Sequence, residues 1–290
     1  MTGKLRALAL AAGVLAIVGG CGEGEQPEQG SSGAPDTTAT VGQPALSGRI
    51  SVAGSTTVQP LAELLSEAFS AEYPDVEITV QGGGSSVGVK SAGEGTVEIG
   101  MASREIKNSE FEEFPGIVVH TIARDGIAIV SHPDAGVDRL TTEQVRNIFN
   151  GEITDWSEVG GSAGPVITVA REEGSGTRAA FEELVMDGTL ITGGAVLQPS
   201  NGAVRTTVST TPMSIGFLSF GYLDETVRSI AVDGVLPNEE TAASGEYPVV
   251  RPLNMITLGQ PEGISKAWLD FIMSPDGQAI VSSEGYIAVN

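Results

Sequence analysis

Three short loops rich in glycine and hydroxyl side chains are the part of this sequence best suited to hold an anion. They cover residues 53–57 (AGSTT), 82–86 (GGGSS) and 173–177 (EGSGT), and Arg171 stands just before the third. Each follows a run that predicts a strand and precedes a pattern that predicts a helix. A helix N-terminus presents unsatisfied N–H groups and a partial positive charge, glycine allows close approach, and hydroxyls add donors. Each loop is therefore a candidate cradle for an oxyanion.

A plainer interpretation exists for any one loop, since Ser and Thr commonly cap the helix that follows them. Three loops at strand-to-helix junctions favour a shared ligand site, because open α/β sheets bind ligands at the carboxyl ends of their strands. Lys90 follows Val89, whereas the lysine of a nucleotide P-loop follows a glycine and precedes Ser or Thr. Nucleotide binding is therefore not expected.

The residue types needed for catalysis or for a resident metal form no matching pattern. His120 and His132 are the only histidines, and two histidines without a nearby cysteine make a poor metal site. Ser175 lacks the spacing of a nucleophile elbow, and no motif supplies it with a histidine base. Trp156 and Trp268 are more typical of packing than of ligand stacking. The sequence thus predicts a binding protein rather than an enzyme, with no metal and no cofactor.

The elements that must position the loops alternate between strands and helices. Residues 49–53 and 76–80 are predicted strands, and 61–73 has apolar residues at helical spacing between them. An apolar stretch over 117–131 is interrupted at 123–125 by Ala-Arg-Asp. This alternation predicts an α/β fold with mixed, mostly parallel sheets.

The order and length of these elements predict two lobes joined by two crossover strands. Lobe I is expected to contain residues 48–124 and 252–290, and lobe II residues 125–251. The crossings are expected near 124–126 and 250–252, so the chain would leave one lobe, build the second and return.

Composition excludes several classes of partner. The chain has 290 residues, with 15 Lys and Arg against 37 Asp and Glu, for a net charge of −22. A nucleic-acid site needs a basic footprint, and an anionic membrane surface would repel this charge. We therefore expect no nucleic-acid partner and no electrostatic adhesion to lipid.

The N-terminus is typical of an exported chain. Lys4 and Arg6 precede an apolar segment at 8–18 that is too short to span a bilayer, and Cys21 is the only cysteine. The segment resembles a bacterial lipoprotein signal, with 1–20 removed and Cys21 lipidated; an ordinary signal peptide with an incidental cysteine is the alternative. Residues 21–47 lack large apolar groups and are predicted to be a flexible tether.

The ordered set of motifs resembles the phosphate-binding proteins of phosphate ABC importers, over about residues 48–290. That resemblance implies a periplasmic-binding-protein fold of the type II kind that closes on one dehydrated phosphate. Together with the lipoprotein-like signal, it predicts a monomer, anchored by lipid at the extracytoplasmic face of the cell membrane, that delivers inorganic phosphate to an ABC permease. The motifs are 53–60 (AGSTTVQP), 81–88 (QGGGSSVG), 99–104 (IGMASR), 151–156 (GEITDW), 171–178 (REEGSGTR), 200–204 (SNGAV) and 285–287 (GYI).

The same resemblance implies a set of phosphate ligands. Arg171 would be the sole charged donor, and its guanidinium suits bidentate contact with an oxyanion. The alternative for Arg171 is a surface ion pair with Glu172 or Glu182. The ligands carried over from the motifs are Ser55, Thr56, the backbone N–H of Thr57, Ser85, Arg171, Ser175, Gly176 and Thr177.

One position departs from the family pattern. Many relatives have an aspartate where this chain has Ser103, and such a carboxylate accepts a hydrogen bond from a protonated phosphate oxygen while repelling sulfate. We expect Asp125, at the first crossing, to accept the hydrogen bond from that proton, with Ser103 donating or accepting beside it; the alternative is that Asp125 caps the turn at Gly126. Arg104 is either a second cationic ligand or a rim residue paired with Glu105.

Three other functions stay open at this point. The same fold could bind sulfate, molybdate or another tetrahedral oxyanion. A phosphohydrolase would need a base or a metal that the sequence does not supply. A surface adhesin or sensor would be compatible with the long tether.

Overall fold

A computed structural model describes residues 46–289, and they form an α/β protein of two lobes. The predicted signal segment 1–20, Cys21 and nearly all of the predicted tether 21–47 lie outside the described residues. Within the described residues, no helix is both long enough and apolar enough to cross a membrane.

The strands are β1 (Gly48–Gly54), β2 (Val76–Gly82), β3 (Ile99–Ala102), β4 (Ile117–Ser131), β5 (Arg139–Leu140), β6 (Ile167–Arg171), β7 (Val196–Gln198), β8 (Ser214–Ser219), β9 (Arg228–Ser229), β10 (Ala231–Val232) and β11 (Val250–Leu258). The helices are α1 (Val58–Glu72), α2 (Ser85–Gly93), α3 (Asn108–Glu113), α4 (Thr142–Asn150), α5 (Gly176–Phe181), α6 (Asn201–Thr210), α7 (Glu239–Ala243), α8 (Gly263–Ile272) and α9 (Pro275–Ser283).

The main sheet is mixed, as predicted. Its strand order is β2-β1-β3-β11-β4-β8-β6-β7, with β9 paired to β4. β1 lies parallel to β2 and β3 at one end, and β6 lies parallel to β7 and β8 at the other. The antiparallel pairs all involve β4 or β11. The parallel strands therefore belong to the two flanks, and the antiparallel ones join them.

β4 and β11 are the strands that run from one flank to the other. The interruption expected at 123–125 does not break β4, which continues as one strand over Ile117–Ser131. Its register places Asp125 opposite Arg251 of β11, and a bulge in that pairing falls between Leu253 and Asn254. Both charged residues are thereby set into the middle of the molecule, where each is almost fully buried.

Two large apolar cores lie on either side of these strands. The core of lobe I contains β1, α1 and the C-terminal helices, with Trp268 fully buried in it. The core of lobe II contains Trp156 and a group of packed aromatic rings. The ring centroids of Phe181 and Phe217 are 4.0 Å apart, and the two rings are nearly parallel. Both tryptophans are therefore packing residues, as predicted. Helix α5 ends at Phe181, where the chain turns into a π-helical segment at Glu182–Met186.

Candidate functional site

The first loop begins where β1 ends, and its geometry requires glycine. Gly54 has φ +138°, and a Cβ at this position would lie 2.3 Å from the carbonyl oxygen of Met101. The next residue, Ser55, is buried, and its Oγ accepts a hydrogen bond from the backbone N–H of Thr57 at 3.1 Å. Ser55 thus holds the turn that starts α1, which is the capping alternative for this loop.

Thr57 lies at the centre of a buried polar network. Its Oγ1 accepts from Nδ2 of Asn201 at 2.8 Å and from Nη2 of Arg251 at 3.1 Å, and it lies 3.2 Å from Oγ1 of Thr177. Asn201 and Thr177 belong to the helices of lobe II, whereas Thr57 precedes α1 of lobe I. This threonine therefore ties the two lobes together through its side chain.

The second loop places two serines side by side. Gly84 has φ +91°, which only glycine adopts readily, and the following Ser85 begins α2. The backbone N–H of Ser103 donates to Oγ of Ser85 at 3.0 Å, and the two hydroxyl oxygens are 3.4 Å apart. Both side chains are buried. The sequence motif around residues 99–104 and the second loop thus meet at one point.

The third loop approaches these serines from lobe II. A Cβ on Gly176 would lie 2.1 Å from Oγ of Ser85 and 2.7 Å from Oγ of Ser103. Ser175 caps α5 by accepting from the N–H of Arg178 at 3.2 Å. The contact is tight because the two loops also bond through their backbones, from Ser86 N–H to the Gly174 carbonyl at 3.1 Å. The two lobes are closed on each other in this structure.

Arg171 is buried at the end of β6, and no carboxylate in the described chain pairs with it. Its guanidinium donates to Oγ1 of Thr56 at 3.2 Å, to the Pro199 carbonyl at 2.8 Å and to the Gln198 carbonyl at 3.1 Å. Its Nη1 lies 3.5 Å from Oγ1 of Thr177. The alternative ion pair with Glu172 or Glu182 is not observed, since Glu182 pairs with Arg178.

Burial and the charge of Arg251 lower the pKa of Arg171 to about 10. The guanidinium therefore stays charged near neutral pH. A buried cation without a counter-charge is costly unless a partner is supplied. This position is thus prepared for an anion.

The carboxylate oxygens of Asp125, predicted to accept from phosphate, have partners within the protein in this structure. Its Oδ1 accepts from Ser219 Oγ at 2.9 Å and from the Phe220 N–H at 3.2 Å. Its Oδ2 accepts from Nη2 of Arg251 at 2.8 Å and from Nε at 3.1 Å. A carboxylate has about four lone-pair sites, so four donors leave none for a phosphate proton. It does not merely cap the turn at Gly126 either, because its partners come from β8 and β11.

Arg251 is a residue of this region that the sequence did not assign to the site. Its side chain is 1% exposed and pairs with Asp125, while its Nη1 has no hydrogen-bond partner in the described part of the chain. Burial raises the pKa of Asp125 against the opposing effect of Arg251, and burial lowers the pKa of Arg251. The available signal was an arginine between two apolar residues, Val250 and Pro252, at the predicted crossing.

Arg104 is neither a free cation nor a partner of the Glu105 carboxylate. It forms a bidentate pair with Glu110 at 2.7 and 2.8 Å, and its Nη1 also reaches the Glu105 carbonyl. Burial alone would raise the pKa of Glu110, but the hydrogen bonds from Arg104 and from the Lys107 N–H lower it overall. Arg104 therefore contributes no spare charge to the anion site.

Two tyrosines complete the surroundings of the first loop. The hydroxyl of Tyr222 donates to the Thr56 carbonyl at 2.7 Å, and that of Tyr286 donates to the Thr57 carbonyl at 3.1 Å. Tyr286 and Asn201 stand in motifs that resemble the phosphate-binding family, but residue types alone did not indicate what they contact. Among the described residues, no cluster of three or more metal-ligating side chains is present.

Two α/β lobes that meet over buried hydroxyls and an unpaired guanidinium define an anion-specific solute-binding protein. The PBP superfamily domain model matches residues 25–276. The phosphate-binding protein PstS of Bacillus subtilis is 35% identical over 289 residues, covering 99% of this chain and 94% of the relative. This chain belongs to the PstS family of phosphate-binding proteins.

Solved structures agree with this assignment. A phosphate ABC transporter substrate-binding protein from Clostridium perfringens, crystallised with bound phosphate, has a TM-score of 0.79 and 39% identity, covering 84% of this chain and 100% of that one. An ABC-type phosphate transport receptor from Vibrio cholerae has a TM-score of 0.69 and 31% identity, covering 82% of this chain and 99% of that one.

Proposed function

We propose that this protein captures inorganic phosphate between its lobes and delivers it to the permease of an ABC importer. The observation that carries the proposal is Arg171, a buried cation with no carboxylate partner in the described chain, surrounded by hydroxyls of both lobes. The membership of this chain in the PstS family supports the same ligand.

The ligand set that we propose follows the closed contacts between the loops. Arg171 supplies the charge, and a guanidinium strengthens its hydrogen bonds to an anion in a dry site. The hydroxyls of Thr56, Ser85, Ser103 and Thr177 converge on the same region and can rotate their hydrogens toward phosphate oxygens. Ser175 and Gly176 act through the third loop, while Ser55 and the N–H of Thr57 support the turn of the first loop.

The mode of capture is a hinge closure. We propose that residues 48–124 with 252–290 form one rigid lobe and 125–251 the other, and that β4 and β11 bend between them. The contacts from Ser86 to Gly174 and from Asn201 to Thr57 join the lobes and would break on opening. Because the hinge is limited to two strands, such a motion disrupts few buried apolar contacts.

The cellular placement rests on the N-terminal sequence. We propose that Cys21 carries the lipid and that a monomer is held at the extracytoplasmic face of the membrane, acting in transport without catalysis. Replacing Cys21 with Ala should abolish incorporation of labelled palmitate. Labelling that persists in the Cys21→Ala chain would exclude this anchor.

Calorimetric titration with phosphate tests the central proposal. The full chain should give a saturable heat with one phosphate per chain. Denatured protein should give none, which controls for heats of dilution. If the folded chain shows no heat and no change in thermal stability with phosphate, the proposed function is wrong.

A further inference from the structure

The hydroxyls of Thr57 and Thr177 lie 3.2 Å apart between the lobes, and the groups around them determine which one donates to the other. A threonine hydroxyl has one hydrogen to donate and two lone pairs that accept. Partners that can only donate therefore occupy the lone pairs and leave the hydrogen a single direction. Both residues are 1% exposed, so their partners belong to the interior of the protein.

The side-chain amide of Asn201 is fixed in orientation by the backbone of β8. The N–H of Ser219 lies 3.3 Å from Oδ1 of Asn201 and donates to it. A backbone N–H can only donate, so the amide oxygen has to face Ser219 and the NH2 group has to point elsewhere. That group lies 2.8 Å from Oγ1 of Thr57. Asn201 is therefore a donor to Thr57, with no freedom to accept from it through the same contact.

Arg251 supplies Thr57 with a second donor. Its Nη2 lies 3.1 Å from Oγ1 of Thr57 and is held by Oδ2 of Asp125 at 2.8 Å. A guanidinium has no acceptor, so the two lone pairs of Thr57 Oγ1 are both occupied by N–H donors. Among the described residues, the contact that is left for the Thr57 hydrogen is Oγ1 of Thr177. Thr57 therefore donates and Thr177 accepts.

Thr177 Oγ1 has donors as its partners in the described chain. It accepts from the Thr57 hydroxyl, and Nη1 of Arg171 lies 3.5 Å from it. Neither of these groups can accept the hydrogen of Thr177 itself. That hydrogen lies beside the guanidinium that we propose as the charged ligand of phosphate, so a bound anion is the acceptor that suits it.

From these contacts we propose that Asn201 is a positioning residue, which directs the hydroxyl hydrogen of Thr177 toward phosphate by acting through Thr57. The proposal rests on the proposed phosphate function and deepens it by assigning a role to a residue that acts through others. Thr57 belongs to lobe I, whereas Asn201 and Thr177 belong to lobe II, so this series of hydrogen bonds is complete only when the lobes are closed. Closure thus orients a donor as well as enclosing the ligand.

A double-mutant cycle in phosphate affinity tests the proposal, by calorimetric titration of the full chain with sodium phosphate. Asn201→Ala should weaken phosphate binding about 30-fold in the parent, because it removes one bond between the lobes and also the fixed direction of the Thr57 hydroxyl. In a chain that already contains Thr177→Val, the same change should cost only about fivefold, which is the effect of the lost bond alone. Equal losses in the two backgrounds would mean that Asn201 only holds the lobes together, and would overturn the proposal.

Asn254→Ala is the matched control, because Asn254 is a buried asparagine whose amide is bonded at both ends inside lobe I. Whatever its effect on phosphate affinity, the factor should be the same with and without Thr177→Val, since Asn254 does not contact Thr57 or Thr177. A difference between backgrounds as large as that of Asn201→Ala would show that the coupling is not specific, and would count against the proposal.

Substitutions of Thr57 give a second test that does not depend on the folding of Asn201→Ala. Thr57→Ser keeps the hydroxyl and should bind phosphate nearly as tightly as the parent. Thr57→Val should cost at least about fivefold more in the parent than in the Thr177→Val chain. Equal costs, or a serine variant as weak as the valine variant, would overturn the inference and leave the proposed function intact. A parent protein that binds no phosphate would overturn both.

Discussion

Arg171 and Arg251 are two buried arginines with opposite electrostatic environments. Each donates to a threonine of the first loop, Arg171 to Thr56 and Arg251 to Thr57. Arg251 has a carboxylate partner in Asp125, whereas the partners of Arg171 are carbonyls and hydroxyls. Burying an unpaired charge is expensive, so a protein retains it where a ligand supplies the counter-charge. The comparison supports the ligand role that we propose for Arg171 and indicates a structural role for Arg251.

This contrast also explains how a chain of net charge −22 can hold an anion. The two least exposed carboxylates in ion pairs of the described chain, Asp125 and Glu110, are each neutralised by an arginine. The remaining groups that face the loops are mainly hydrogen-bond donors. Net charge governs long-range attraction, while the local arrangement of donors governs capture.

The largest expected effect is on Arg171. Arg171→Gln should weaken phosphate binding by about 100- to 1000-fold, because it removes the charged donor from a dry site. The free energy of unfolding of the ligand-free protein should stay the same or rise, since an unneutralised cation is lost. Titration calorimetry and urea unfolding measure the two quantities.

The matched control for Arg171 is Arg205→Gln, because Arg205 forms a surface pair with Asp224. It should change neither quantity by more than about 0.5 kcal/mol. An Arg171→Gln chain that unfolds more easily but binds phosphate normally would reverse the roles of the two arginines.

The next effect is on the Asp125–Arg251 pair, and it concerns stability. Asp125→Asn should lower the free energy of unfolding by about 3 kcal/mol, because it leaves the guanidinium of Arg251 buried without a counter-charge. The ratio of phosphate to sulfate affinity should not change, since Asp125 has no free acceptor. Urea unfolding and paired titrations measure these.

A double-mutant cycle sharpens this prediction. Asp125→Asn combined with Arg251→Gln should destabilise the protein less than the sum of the single changes, because the second substitution removes the unpaired charge. Strict additivity would show that the two residues are not coupled, and an altered selectivity in Asp125→Asn would show that Asp125 acts on the ligand after all.

A smaller effect is expected where the third loop meets the second. Gly176→Ala places a methyl group 2.1 Å from Ser85 Oγ, so the loops must move apart on closure. Phosphate affinity should fall about tenfold, since misplacement of loops by even 1 Å weakens a positioned site. Gly193→Ala is the control, because a Cβ there meets no atom within 4 Å. Equal affinities for the two variants would mean that the loops do not close as tightly as described.

The sequence located the loops but did not indicate which partners each nearby polar side chain would bind. The pattern of strand, glycine loop and helix is local, so nearby residues were enough to nominate Ser85, Arg171 and Gly176 as site residues. The bonds that occupy Asp125 come from Ser219, Phe220 and Arg251, which are 94 to 126 positions away in the chain. Such partners are set by the register of β4 against β8 and β11, which the apolar pattern of those strands does not specify.

The same limit applies to Arg104, the charged residue of the 99–104 motif. Arg104 and Glu110 are six positions apart, across the turn that leads into α3. The sequence offered Glu105 as a nearer partner, but successive side chains seldom face each other, and Glu110 is held in place by the Lys107 N–H. Local spacing therefore favoured the wrong acid.

The smallest expected effects separate the two tyrosines of the first loop. Tyr222 packs on the core of lobe II and bonds the Thr56 carbonyl of lobe I, so its hydrogen bond forms only when the lobes are closed. Tyr286 and Thr57 both belong to lobe I, so their bond persists in either state. Tyr222→Phe should therefore weaken phosphate about fivefold with little change in unfolding, as one lost hydrogen bond of about 1 kcal/mol requires. Tyr286→Phe should instead lower the free energy of unfolding by about 1 kcal/mol, with the smaller effect on affinity. Titration and urea unfolding of both variants check the contrast, and equal shifts in affinity would place both tyrosines on the same side of the hinge.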